Sequence, residues 1–226
     1  ATDGRHIVTI FGSEGLFCFD TNGKLAWKKD LGPMDSAFFA VPSAQWGFAS
    51  SPIIRDGKVV VLCDVLTNSF LAVFDLKSGK ELWRVTGMSM PTASPLAANG
   101  WLYVGSGSQG DANRPFLAIK PGATGDITLA DGAESNDFIA WRQPRVSGYT
   151  PSAIVHDGRA YLVHDTGILA VLNSKTGEQL YKLTASDGAD ADSLISKAEA
   201  ALKDAKRTGH RYLFYAPQMN AKVAEQ

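Results

Sequence analysis

His164 and Asp165 are neighbours, and an imidazole beside a carboxylate is the pair from which hydrolytic metal sites are built. With Asp64 and Asp111 they offer one nitrogen and several oxygens, a set suited to zinc or a harder divalent ion whose bound water would be the nucleophile. No dense motif such as His-Glu-x-x-His ties the four together. A plainer reading has Asp165-Thr166-Gly167 as a turn and His164 as a loop residue beside it. Other chemistry has less to work with. Gly105-Ser106-Gly107-Ser108-Gln109-Gly110 is glycine-rich but follows an apolar strand and opens no helix, so the helix N-terminus that cradles phosphate is missing. Ser13, in Gly12-Ser13-Glu14-Gly15, is not in a nucleophile elbow. Cys18 and Cys63 lie in or beside apolar strands, as buried thiols do, and lack metal-knuckle spacing.

The elements that hold these residues repeat. Leu16 to Trp27, Leu71 to Trp83, Leu117 to Gly125 and Leu169 to Tyr181 each begin as an apolar strand and turn at a glycine: Gly23, Gly79, Gly125 and Gly177. Before each comes a second unit, a turn at Asp3-Gly4, Asp56-Gly57, Asn99-Gly100 or Asp157-Gly158 followed by a strand. Three of these have a further short strand upstream, at 49–54, 93–97 and 149–155. Strand, Asp-Gly turn, strand, loop, strand, glycine turn, strand describes a propeller blade. The expected fold is mainly β: a partial β-propeller of about four four-stranded antiparallel blades, the first lacking its innermost strand.

Propeller connectivity sends the loops between second and third strands, and those between blades, to one face. Trp46, Asp64, Asn68, Asp111, Asn113, Arg114, Arg145, Tyr149, His164 and Asp165 should therefore line one rim. Asp56, His156 and Asp157 go to the opposite face.

After Thr184 the character changes. Leu194, Ile195, Ala198, Ala201, Leu202 and Ala205 recur at helical spacing, Asp190 or Asp192 can cap the start, and Gly209 can end it. Arg211 to Tyr215 then reads as a strand, so two units are expected, 1–186 and 187–226. Twenty-two Lys+Arg against 23 Asp+Glu leave a net charge of −1, with no basic excess for a nucleic acid. No apolar run reaches the length of a membrane span, and Ala1 to His6 lacks a signal-peptide layout.

Residues 1–184, through Ala72-Val73-Phe74-Asp75-Leu76-Lys77-Ser78-Gly79-Lys80-Glu81-Leu82-Trp83 and its relatives, resemble the quinoprotein-like (PQQ-type, BamB-like) β-propellers. The resemblance implies that an aromatic at the end of each blade docks on the next blade. Trp27 and Trp83 match directly, Trp141 follows an insertion, and Tyr181 replaces Trp in the last copy. That family mixes alcohol dehydrogenases with binding and assembly proteins. Its enzymes hold the quinone against a vicinal disulfide, which this chain lacks, so PQQ is not expected. Residues 187–226, through Asp190-Ala191-Asp192-Ser193-Leu194 and Lys206-Arg207-Thr208-Gly209-His210-Arg211-Tyr212, resemble the last helix and strand of GGDEF diguanylate cyclase domains, without the signature that carries cyclase activity. Two such fragments joined near 186 would make a chimera. The family's rings have about twice the blades found here, which implies a homodimer that completes the propeller. The propeller resemblance implies an exported or periplasmic protein, the tail a cytoplasmic one. The function expected is a binding or scaffold propeller for a protein or small-molecule ligand. The alternatives are a metal-dependent hydrolase at His164 and a PQQ-dependent oxidoreductase.

Overall fold

The computed structural model describes residues 1–38, 41–45, 50–65, 69–90, 92–107 and 112–184. The chain forms a partial β-propeller of four consecutive antiparallel blades. Blade 1 holds β1 (His6–Ile10), β2 (Leu16–Asp20) and β3 (Leu25–Lys29), and among the described residues it has no fourth strand. A hairpin, β4 (Ala37–Phe38) and β5 (Val41–Gln45), follows in what the sequence suggested was plain loop. Blade 2 holds β6 (Ile53–Arg55), β7 (Lys58–Cys63), β8 (Phe70–Asp75) and β9 (Glu81–Val85). Blade 3 holds β10 (Leu96–Ala98), β11 (Trp101–Gly105), β12 (Phe116–Ile119) and, beyond a two-residue strand β13 (Gly125–Asp126), its outer strand β14 (Ile139–Gln143). Blade 4 holds β15 (Ile154–His156), β16 (Arg159–His164), β17 (Ile168–Asn173) and β18 (Gln179–Thr184). The expected tail helix and strand lie outside the described residues.

Each blade opens as its residues dictate. Asp56-Gly57, Asn99-Gly100 and Asp157-Gly158 all have φ between 47° and 77°, the pair of left-handed residues that a two-residue type I′ turn requires. They set the pairings Arg55 with Lys58, Ala98 with Trp101 and His156 with Arg159. The later turns repeat the same backbone bonds, each around a side-chain oxygen that accepts from the turn. Asp75 Oδ1 accepts from Ser78 N and Ser78 Oγ, and Asn173 Oδ1 from Lys175 N and Thr176 N. Gly79 N donates to Asp75 O as Gly177 N does to Asn173 O, each at 2.9 Å.

Alternate residues of each central strand face opposite neighbours, so the core is three inter-blade layers. Val8, Leu16 and Cys18 meet Val59, Val61, Cys63, Ala72 and Phe74. The other face of blade 2, with Leu62, Leu71, Val73, Trp83 and Val85, meets Val104, Leu117, Ile119 and Ile139. Tyr103, Phe116, Ala118 and Trp141 meet Ala160, Leu162 and Leu172. Each buried side chain of this size contributes roughly 1.5–3 kcal/mol.

Two of these layers are locked by an indole on a glycine. Trp27 Nε1 donates to Leu76 O at 2.8 Å, and Trp141 Nε1 to Ser174 O at 3.2 Å. A Cβ on Gly79 would come within 2.7 Å of the Trp27 ring, and one on Gly177 within 2.6 Å of the Trp141 ring, so the indoles lie flat where only glycine fits. Tyr103 Oη and Gln143 Nε2 add bonds to Ser174 O and Gly177 O. The blade 2–blade 3 layer is joined differently. Gly125 is not the hairpin glycine its place in the repeat suggested. It lies in β13, which pairs in parallel with β9 (Gly125 with Trp83, Asp126 with Arg84), so the 121–138 insertion straps blade 3 to the outer edge of blade 2. Ile127 N to Arg84 O and Thr86 N to Thr128 Oγ1 extend the strap, and Trp83 is buried in the layer it covers. Tyr181 lies on the outer strand of blade 4, beyond which no blade is described.

Gly177→Ala and Gly132→Ala test the lock, because both glycines have φ near +75° but only Gly177 lies under an indole. Chemical denaturation should show Gly177→Ala less stable than Gly132→Ala by about 1–3 kcal/mol. Trp141→Ala should cost about 3–5 kcal/mol.

Candidate functional site

The described rim residues separate into a hub group, an outer group and one buried histidine. At the hub, where the innermost strands begin, Asp64 and Tyr149 line one cavity of about 550 Å3 together with Ser36, Ser50, Ser51, Pro52, Ile53, Leu62, Thr92, Ser94 and Pro95. Blades 2 and 3 and the links leading out of blades 1 and 3 all contribute to it. Ser36 Oγ donates to Asp64 O at 2.7 Å, and Thr92 Oγ1 donates to Tyr149 O. Tyr149 N and Thr150 N donate to the Asp165 carboxylate at 2.6 and 3.4 Å. The lining is thus held by its own hydrogen bonds. Burial pushes the Asp64 carboxyl above its ordinary value near 3.8, and burial followed by the charges of Asp64 and Asp165 raises the Tyr149 hydroxyl.

Away from the hub, Asn113 accepts from Arg142 Nη2 at 2.9 Å and donates to Gly87 O at 3.2 Å, beside a second cavity of about 290 Å3 under the 128–133 part of the strap. Arg114 and Arg145 form an isolated parallel bridge, with Arg114 N donating to Pro144 O. Trp46, Asn68 and Asp111 lie outside the described residues.

His164 is buried at the end of β16, only 7% exposed. Its Nδ1 lies 2.7 Å from Thr166 Oγ1 and accepts from Thr166 N at 3.2 Å, which leaves the proton on Nε2. Nε2 is buried with no partner among the described residues, as is Arg114 Nε. Burial, and then the Arg114 charge, hold the imidazole below its ordinary value of 6.5. Asp165 is in use elsewhere: burial would raise it, but the bonds from Tyr149 and Thr150 outweigh this and keep it ionised. The adjacency in sequence therefore sends the two side chains to different tasks, and among the described residues no three His, Cys, Asp or Glu side chains gather as metal ligands. Cys18 and Cys63 are free and buried in the same layer, and burial pushes the Cys63 thiol up to about 12.

The hub hydroxyls were not singled out from the sequence, although a signal exists. Ser51-Pro52, Ser94-Pro95 and Thr150-Pro151 recur just before the innermost strands β6, β10 and β15. Proline forces the preceding residue to be extended and lacks a donor, which suits the start of an edge strand at the axis.

A family profile described as outer membrane protein assembly factor BamB matches residues 67–224. The chain belongs to this family. The match covers both sides of residue 186, where the residue pattern changes. Among solved structures, BamB from Moraxella catarrhalis superposes over 80% of this chain and 46% of its own, with a TM-score of 0.52 and 14% identity. A europium-containing methanol dehydrogenase superposes over 81% and 40%, with 0.56 and 12%. A quinohemoprotein alcohol dehydrogenase from Comamonas testosteroni superposes over 81% and 34%, with 0.50 and 15%. At these identities the likeness is one of fold, and the chain spans less than half of each. No curated protein matches it. No helix among the described residues is long and apolar enough to cross a membrane.

The buried imidazole has a pH signature. A histidine held neutral by the fold is protonated more readily after unfolding, so its contribution is intact above about pH 6.5 and is lost as pH falls below it. Denaturation midpoints should drop between about pH 6.5 and 5, and the His164→Gln variant should show a shallower drop.

Proposed function

We propose that the chain is a protein-binding scaffold, a four-blade arc of a BamB-like propeller that presents its loop rim to partners in outer-membrane protein assembly. The observation that carries this reading is the use made of the polar rim. Asp165 is spent on two backbone amides, Asn113 bridges Arg142 and Gly87, and His164 Nδ1 is turned on Thr166. Groups that shape and stiffen loops suit a recognition surface, whereas a catalytic centre needs several groups aimed at one point. The family assignment supports the same reading. The profile match on both sides of residue 186 favours a propeller-family origin for the tail over a junction with a GGDEF fragment, with 187–226 as an appended unit.

The apolar outer face of blade 1 favours a second copy as one partner. Ile7, Phe11 and Leu25 are 41%, 57% and 49% exposed, and Phe17 stacks on Phe19 and meets Phe11 edge to face on the same side. The corresponding face of blade 2 is covered by blade 1. Since this chain superposes on 46% of the Moraxella protein, two copies approach a full complement of blades.

Light scattering should give twice 24.1 kDa, falling toward the monomer in Phe17→Glu; a wild-type monomer ends the dimer reading. A photo-crosslinker at Arg145 on the rim should capture an outer-membrane assembly component, whereas one at Asp157 on the opposite face should not. Capture from Asp157 alone, or from neither, overturns the scaffold reading.

A further inference from the structure

The hub cleft has a chemical bias that the scaffold reading does not use. Among the described residues its polar lining is hydroxyl apart from one carboxylate, and none of those residues is Lys, Arg or His. Asp64 is half-buried there, and no described residue donates a hydrogen bond or an ion pair to its side chain. An ionised carboxylate removed from water without a partner is a cost to the fold. The group that relieves it carries positive charge and N–H donors. Tyr149 lines the same cavity and feels the Asp64 charge, so an aromatic ring and a carboxylate share one space, the combination that favours organic cations. The volume, about 550 Å3, is that of a small-molecule site and far exceeds what a bare ion fills. Because Ser36 and Thr92 donate to backbone carbonyls and Tyr149 N donates to the Asp165 carboxylate, the wall is formed before a ligand arrives.

We propose that the hub cleft binds a protonated alkylamine, with the ammonium between the Asp64 carboxylate and the Tyr149 ring and the carbon chain along the wall of Ser50, Ser51 and Ser94. The amine has two sources, a free diamine or the lysine side chain of a protein segment. The site stands whether or not the rim binds an assembly partner, so crosslinking and amine binding fail independently.

Calorimetric titration with cadaverine, Nα-acetyl-lysine methylamide and the neutral analogue 1,5-pentanediol tests it. Both amines should bind, pentanediol at least about tenfold more weakly. Asp64→Asn should lose about tenfold or more in amine affinity, Tyr149→Leu a smaller factor, and Tyr149→Phe little, because the ring is kept. In the wild type, amine affinity should fall as acid protonates Asp64, a readout that needs no variant. Asp64→Asn deletes a charge that burial disfavours, so its melting temperature at pH 7 should equal or exceed that of the wild type. Tighter binding of the lysine amide than of cadaverine assigns the site to a protein segment, and the reverse order to a free diamine. Failure of both amines to bind below about 10 mM, equal binding of pentanediol, or an Asp64→Asn variant that binds unchanged overturns the proposal.

Discussion

The burial of both faces of each middle blade is the constraint on which the rest of the structure depends. A four-stranded sheet with one apolar face can rest on a single layer, but in β8 the run Phe70-Leu71-Ala72-Val73-Phe74 before Asp75 is buried at every position. Alternate residues of that run belong to two different cores. Such a blade has no stable existence apart from its neighbours, and a slip of one residue in register would exchange the two sets. The tight Asp-Gly turns matter for this reason. They fix which residue of the second strand faces which neighbour before any inter-blade contact forms.

Register alone does not prevent two smooth apolar sheets from sliding across one another. The indole–glycine lock does, because the ring lies flat on a backbone that has no side chain and its N–H meets a carbonyl of the same turn. The 121–138 strap supplies the same restraint for the blade 2–blade 3 layer by pairing strand to strand. Different residues thus answer one requirement, and the requirement explains why the insertion after β12 crosses to the preceding blade when it could have projected into solvent.

Much of this was legible in the sequence because it is written locally. Asn99-Gly100, Asp157-Gly158 and the Asp75 to Gly79 turn encode their geometry within a few residues, and their recurrence marks the blades. The strap was not legible: a two-residue parallel pairing has no period, and Gly125 is in the place a hairpin glycine would occupy. The rim was legible as a list of loops but not as a set of partnerships. His164 and Asp165 look like a pair only because they are adjacent, and strand geometry sends one inward to Thr166 and the other across to Tyr149. The hub cleft was half legible. Asp64 and Tyr149 were singled out, but their meeting depends on how far the blades rotate about the axis, which no local pattern records.

The same rotation bears on what can cover blade 1. Its outer face repeats the layout of the blade 2 face that blade 1 covers, since Ile7, Phe19 and Leu25 stand in register as Val59, Phe74 and Glu81 do. A covering element must therefore be a twisted sheet presenting apolar side chains in the spacing of Val8, Cys18 and Trp27. Its docking aromatic would meet a different socket, however. The turn from Asp20 to Gly23 is one residue shorter than that from Asp75 to Gly79, and Gly23, with φ of 82°, has nothing within 4 Å of where a Cβ would stand. A ring arriving there finds open space bounded by a tighter turn, with room for an aromatic whose hydrogen-bonding atom is at its tip instead of its edge. Tyr181, at the corresponding position of blade 4, has that form, and in the proposed dimer a two-fold rotation about the propeller axis would bring blade 4 of one chain to blade 1 of the other at two equivalent junctions.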